Sequence, residues 1–151
     1  MSRDAFLAER RIAMLATADE DGSIYLTAVW YLWEDGAFLV PTDGTSRKAQ
    51  NVAARSRASI VVDARGAALA GVAAAGATDI LSGQEALELN DRIHRRYVTP
   101  AGMDDPHLGS LLRSGDDVTL RLVPDRWHRW DMEPAFGRRF GDPELAYPLA
   151  P

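Results

Sequence analysis

The segment Asp43-Gly44-Thr45-Ser46-Arg47-Lys48 gathers two hydroxyls, two cations and a glycine between an apolar strand pattern and the start of a helical one. Hydroxyls and free N–H groups at a helix N-terminus, with a glycine that admits close backbone approach and cations alongside, are the parts of a small anion cradle. The same residue types also serve simply to cap a helix and solvate its first turn. Lys48 makes the segment unusual, because it is the one lysine among 17 basic residues, the rest being arginine. Codon bias accounts for a general loss of lysine in so Ala-rich a chain. The ammonium that remains is a compact charge on a flexible stem, suited to a point contact with phosphate.

Other residues with chemical potential are more scattered. The four tryptophans form two pairs, Trp30/Trp33 and Trp127/Trp130. In a strand this spacing puts the members of a pair on opposite faces, so one can enter a core while the other meets solvent, a planar ligand or a subunit. His94, His107 and His128 show no HExxH or 2-His-1-carboxylate spacing, and no metal site is expected. GxSxG, GxGxxG and P-loop patterns are absent, so no side chain is singled out as a catalytic nucleophile, acid or base. With no cysteine, thiolate catalysis, iron–sulfur clusters and disulfides are excluded, and any redox chemistry must come from a cofactor. A net charge of -5 argues against a nucleic-acid partner. No apolar run reaches the roughly 20 residues that cross a bilayer, so no membrane partner is expected and the expected location is cytoplasmic.

The elements that must position these residues are mostly strands. Ile12 to Ala18 reads as a strand ended by Asp19-Glu20-Asp21-Gly22-Ser23, and Ile24 to Trp33 as a second, rich in β-branched and aromatic residues. Glu34-Asp35-Gly36 turns into Ala37 to Val40, and Ala58 to Asp63 forms a further strand after a short helix capped by Thr45 or Ser46. Residues 64–81 fit a glycine-kinked strand, with helix as the alternative. Gln84 to Tyr97 is predicted as an amphipathic helix opened by a Ser82/Glu85 capping box and supported by a Glu88–Arg92 pair. Pro100 to Pro106 reads as a loop and His107 to Ser114 as a short helix. Val118 to Leu122 is then a strand, with Pro124-Asp125 turning into a last one, Arg126 to Asp131. The prediction is a mostly β protein, a small barrel of about six or seven antiparallel strands with inserted helices. Residues 1–133 form the domain, and 134–151 a Pro-rich extended tail.

Three runs carry a further likeness: Val29 to Val40, Thr45 to Val52 and Arg57 to Asp63. In order, spacing and residue type they resemble the pyridoxamine 5′-phosphate oxidase-like split β-barrel family, above all its small flavin- and deazaflavin-dependent oxidoreductases of actinobacteria. The likeness spans about residues 5–131 and implies a homodimer holding FMN, or alternatively the deazaflavin coenzyme F-420, between subunits. By that resemblance Arg47 and Lys48 match the phosphate-contacting basic pair, and Thr45 and Ser46 the neighbouring hydroxyl positions. Ala28, Val29 and Trp30 match the strand beside the isoalloxazine ring, and Trp127 or His128 a stretch that reaches the partner's cofactor. The strand arginine of the vitamin B6 oxidases is replaced near Thr27, their C-terminal substrate-binding arginine segment has no counterpart, and Gln50 stands where many F-420 binders have a basic residue. The expected activity is hydride transfer between the bound cofactor and a small organic substrate. The alternative is a non-enzymatic flavin or haem carrier, or a sensor, on the same dimeric barrel.

Overall fold

A computed structural model of the chain describes residues 1–64, 69–137 and 139–148. The alternating patterns become seven antiparallel strands in one curled sheet: β1 (Ala13–Ala18), β2 (Ile24–Val29), β3 (Leu32–Glu34), β4 (Ala37–Thr42), β5 (Arg57–Asp63), β6 (Ala70–Leu81) and β7 (Val118–Asp131). Their spatial order is β2-β1-β5-β6-β7-β4-β3, a split barrel. The inner face carries the core, with Leu15, Ile60, Val62, Val72, Phe38, Val40, Leu120 and Leu122 all buried. Helices α1 (Arg3–Ala8) and α2 (Arg47–Arg55) insert Phe6, Leu7, Ala49 and Val52 into it. Three further α-helices, α3 (Gly83–Tyr97), α4 (Pro100–Asp104) and α5 (Leu108–Gly115), precede β7, and a single turn, α6 (Glu133–Phe136), follows it.

Several sequence expectations are corrected. Ile24 to Trp33 is two strands, because Tyr31 leaves the ladder: its ring is buried, its hydroxyl donates to Leu7 O at 3.0 Å and its N–H to the Tyr97 hydroxyl at 3.3 Å. That break carries the chain from one end of the sheet to the other, β2 pairing with β1 and β3 with β4. Pro124 does not end a strand. β7 runs through it: a register shift opposite Ala75/Gly76 leaves Asp125 as the extra residue of a bulge next to Pro124, which cannot donate to the ladder. Arg57 forks onto Asp125 across the bulge, at 2.8 Å for both bonds.

The helical segments differ in detail. Residues 100–104 are helical because Thr99 Oγ1 accepts from Gly102 N and Pro100 suits a first turn. Ser82 makes no side-chain cap, since Gly83, at φ +71°, turns the chain aside. Arg92 forks onto Glu34 on β3 instead of pairing with Glu88, which accepts from Gln84. The buried stripe of α3 is Ala86, Asn90, Ile93 and His94, while Leu87 is exposed. The tail begins as the α6 turn, Pro134 being preorganised for a first helical turn, and has a 3-10 turn at Arg139–Gly141. Residues 70–81 form the glycine-kinked strand; Gly66 and Pro151 lie outside the described residues.

Gly76 is required at the bulge because an added Cβ would lie 1.9 Å from Val123 O, a backbone atom that cannot move aside. Gly76→Ala is expected to lower stability by about 1–3 kcal/mol, read as a lower urea midpoint with unchanged slope; an unshifted midpoint would show that the bulge relaxes freely.

Candidate functional site

Helix α2 begins where the sequence placed it, and its cap is Ser46, whose Oγ accepts from Ala49 N at 3.3 Å and lies 3.0 Å from Thr42 Oγ1. Its first two residues part company. Arg47 is drawn to Asp19 at the β1–β2 turn, through Nε at 2.8 Å and through a second, very close contact from Nη2. Its guanidinium also lies 5.0 Å from the centre of the Tyr25 ring. Asn51, one turn on, donates to the same carboxylate at 2.8 Å and to Thr17 at 3.1 Å. Hydrogen bonds from Arg47 and then Asn51 favour the charged Asp19, pulling it from 3.8 to about 2.

The loop donors ahead of the helix are likewise occupied. Asp43 accepts from the N–H and hydroxyl of Thr45, both at 2.6 Å, and is lowered by those bonds. Asp117 accepts from Gly44 N at 2.6 Å. The backbone donors of Gly44 and Thr45 are therefore satisfied by carboxylates.

Lys48 lines a cavity of about 260 Å³ with Ile12, Ala28, Val29, Trp30, Pro41, Thr42 and Asp116. Of the eight residues singled out in the sequence, Lys48, Ala28, Val29 and Trp30 meet here. Thr45, Ser46 and Arg47 stand beside the cavity without lining it. Trp127 is elsewhere: it packs edge-on against Trp33 at 5.6 Å between centroids, with the Arg3 guanidinium 4.2 Å above it. Its neighbour His128 lies on the outer face, paired with Ala73 and stacked on Trp130. Sequence reasoning missed Asp116, Thr42 and Ile12. Asp116 had no signal beyond the acidic pair Asp116-Asp117 opening β7.

The walls are mainly apolar, with one ammonium, one hydroxyl and one carboxylate, a lining that suits a flat heterocycle with an anionic end. Beside the cavity the outer face of β2, β1, β5 and β6 presents Ile24, Leu26, Ala28, Met14, Val61 and Ala73 in register. Ile24 and Leu26 are 61% and 60% exposed. Ala28 belongs to both this face and the cavity.

Comparison with known proteins gives one family and one fold. The sequence profile described as pyridoxamine 5′-phosphate oxidase matches residues 3–131. A conserved hypothetical protein, Rv2991, from Mycobacterium tuberculosis is 30% identical with a TM-score of 0.71, over 87% of this chain and 85% of that one. An F-420 reductase is 17% identical with a TM-score of 0.66, over 85% and 97%. A haem storage protein from Vibrio cholerae is 18% identical with a TM-score of 0.63, over 84% and 89%. No curated protein matches the chain significantly.

Asp19 is depressed in the folded state, so its contribution to stability is present above the unfolded value of 3.8 and is lost as pH falls toward about 2. Thermal melts across that window should show wild type losing stability more steeply than Asp19→Asn; parallel curves would show that the carboxylate is not linked to folding.

Proposed function

Since the chain belongs to the pyridoxamine 5′-phosphate oxidase family, we propose that the Lys48 cavity holds a flavin-type cofactor, FMN or the deazaflavin coenzyme F-420, for hydride exchange with a small organic substrate. The observation that carries this reading is the chain's one lysine lining a mainly apolar cavity with Ala28, Val29 and Trp30. Lys48 would neutralise the phosphate, Val29 and Trp30 would support the ring, and Arg47 would act indirectly by anchoring α2 to Asp19. The cofactor supplies the two-electron chemistry. The chain supplies orientation and apolar walls that exclude water.

The protein is further proposed to work as a cytoplasmic homodimer, with no nucleic-acid or membrane partner. A second copy seated on the outer face would cover Ile24, Leu26, Met14 and Val61 and, through Ala28 and Ile12, wall the open side of the cavity. It would bring His128, rather than Trp127, onto the shared surface.

Lys48→Ala is expected to weaken FMN or F-420 binding roughly tenfold or more, the worth of a charge-assisted phosphate contact, while Arg47→Ala should lower the melting temperature more than the affinity. Equal affinity of Lys48→Ala and wild type, followed by flavin fluorescence, would end the phosphate assignment. Leu26→Arg is expected to convert a dimer to a monomer in sedimentation velocity, and an unchanged sedimentation coefficient would remove this face from the interface. Enzyme and carrier differ in turnover: protein-bound reduced cofactor should be reoxidised by some member of a panel of quinones, nitro compounds and tetrapyrroles faster than free cofactor, and no acceleration would leave a carrier.

A further inference from the structure

The cavity's carboxylate is tied to a buried histidine. Asp116 Oδ2 lies 2.7 Å from His94 Nε2, and the Asp116 carbonyl accepts from Asn90 Nδ2 at 3.2 Å. His94 is 2% exposed on the inner stripe of α3. Its ring meets Trp30 edge-on, 6.2 Å between centroids, and Trp30 is stacked on Tyr97 at 4.9 Å. Asn90 is held in turn by Val118 O at 2.9 Å and Thr119 Oγ1 at 2.7 Å. Asp116 thus has one oxygen and its backbone carbonyl fixed by α3, while Oδ1 takes no hydrogen bond among the described residues and Asp116 lines the cavity.

A carboxylate on a mostly apolar wall needs a donor once water is expelled, and an occupant that cannot supply one leaves a desolvated, unpaired charge. We propose that Asp116 is the specificity-determining acceptor for a ring N–H of the occupant, the imide N–H of a flavin-type heterocycle, with His94 as the positioning residue that fixes the carboxylate. This rests on the flavin-type reading above and names the part of the ligand that is recognised. The ring is assigned to Asp116 because His94 couples it to Trp30, the aromatic wall, while Lys48 is the cation available to an anionic end. A site built this way discriminates strongly against an analogue that lacks the donor.

The test compares FMN with 3-methyl-FMN, in which the imide N–H becomes N–CH3, by fluorescence titration of the full-length protein. Wild type should prefer FMN roughly tenfold or more, the worth of a hydrogen bond to a charged group. In Asp116→Ala the preference should vanish, and Asp116→Asn, which keeps the shape without the charge, should reduce it if the alanine variant does not fold. His94→Phe should shrink the preference and His94→Gln, whose amide can still donate to Asp116, should restore most of it. Lys48→Ala should weaken both ligands equally and leave the preference intact. An unchanged preference in folded Asp116→Ala or Asp116→Asn, with Lys48→Ala still weakening both ligands, would overturn this inference and leave the cavity reading standing. A preference lost in Asp116→Ala while Lys48→Ala binds as tightly as wild type would support Asp116 and remove the phosphate role. Binding of neither flavin, with no binding of F-420 either, would overturn both.

Discussion

The candidate site depends on where one carboxylate sits. Asp19, at the end of β1, engages Arg47 and Asn51 together and so fixes both the position and the rotation of α2. Successive helical residues point about 100° apart, so securing Arg47 against the β1–β2 turn leaves Lys48 directed elsewhere, and elsewhere is the cavity. The same division explains why two adjacent cations, equivalent in a sequence, differ in environment. One is part of the scaffold and the other is available to a ligand. Asp43 and Asp117 reinforce the division by satisfying the loop donors of Thr45 and Gly44.

The cavity stands at a junction of surfaces. Its apolar side is continuous, through Ile12 and Ala28, with an outer sheet face on which Ile24 and Leu26 are exposed. Its polar side is carried by β4, α2 and the residues before β7. The small residues Ala28, Ala73 and Ala75 lie on the same outer face. On the proposed reading, assembly and ligand binding share one region, and a change in either should be felt by the other.

Much of the fold was legible because periodicity reports burial: the alternation in β1, β5 and the first half of β7, and the apolar stripe of α2, follow directly from which side chains face the core. What misled the reading was local chemistry overruled by tertiary pairing. Pro124 has the look of a strand end, but its position opposite the Ala75/Gly76 irregularity lets β7 continue. The run Ile24 to Trp33 has uniform strand propensity, but the burial of Tyr31 and its bond to Leu7 O break it in two.

In the site, composition marked Lys48, and residue type and spacing narrowed the helix cap to Thr45 or Ser46, because a cap depends on neighbours within one turn. Asp116 and His94 could not be paired that way. They stand 22 residues apart on different elements, and only the packing of α3 against β7 brings Nε2 within 2.7 Å of the carboxylate. The sequence by itself determined most of the strands, the helix start, the lone ammonium and the need to borrow any redox chemistry, all of which follow from side-chain type and short-range order. Tertiary structure alone decided that Arg47 belongs to Asp19, that Lys48 shares a cavity with Trp30 and Asp116, and that Trp127 lies apart from it. Those outcomes rest on contacts between residues far apart in the chain, whose geometry no local pattern encodes.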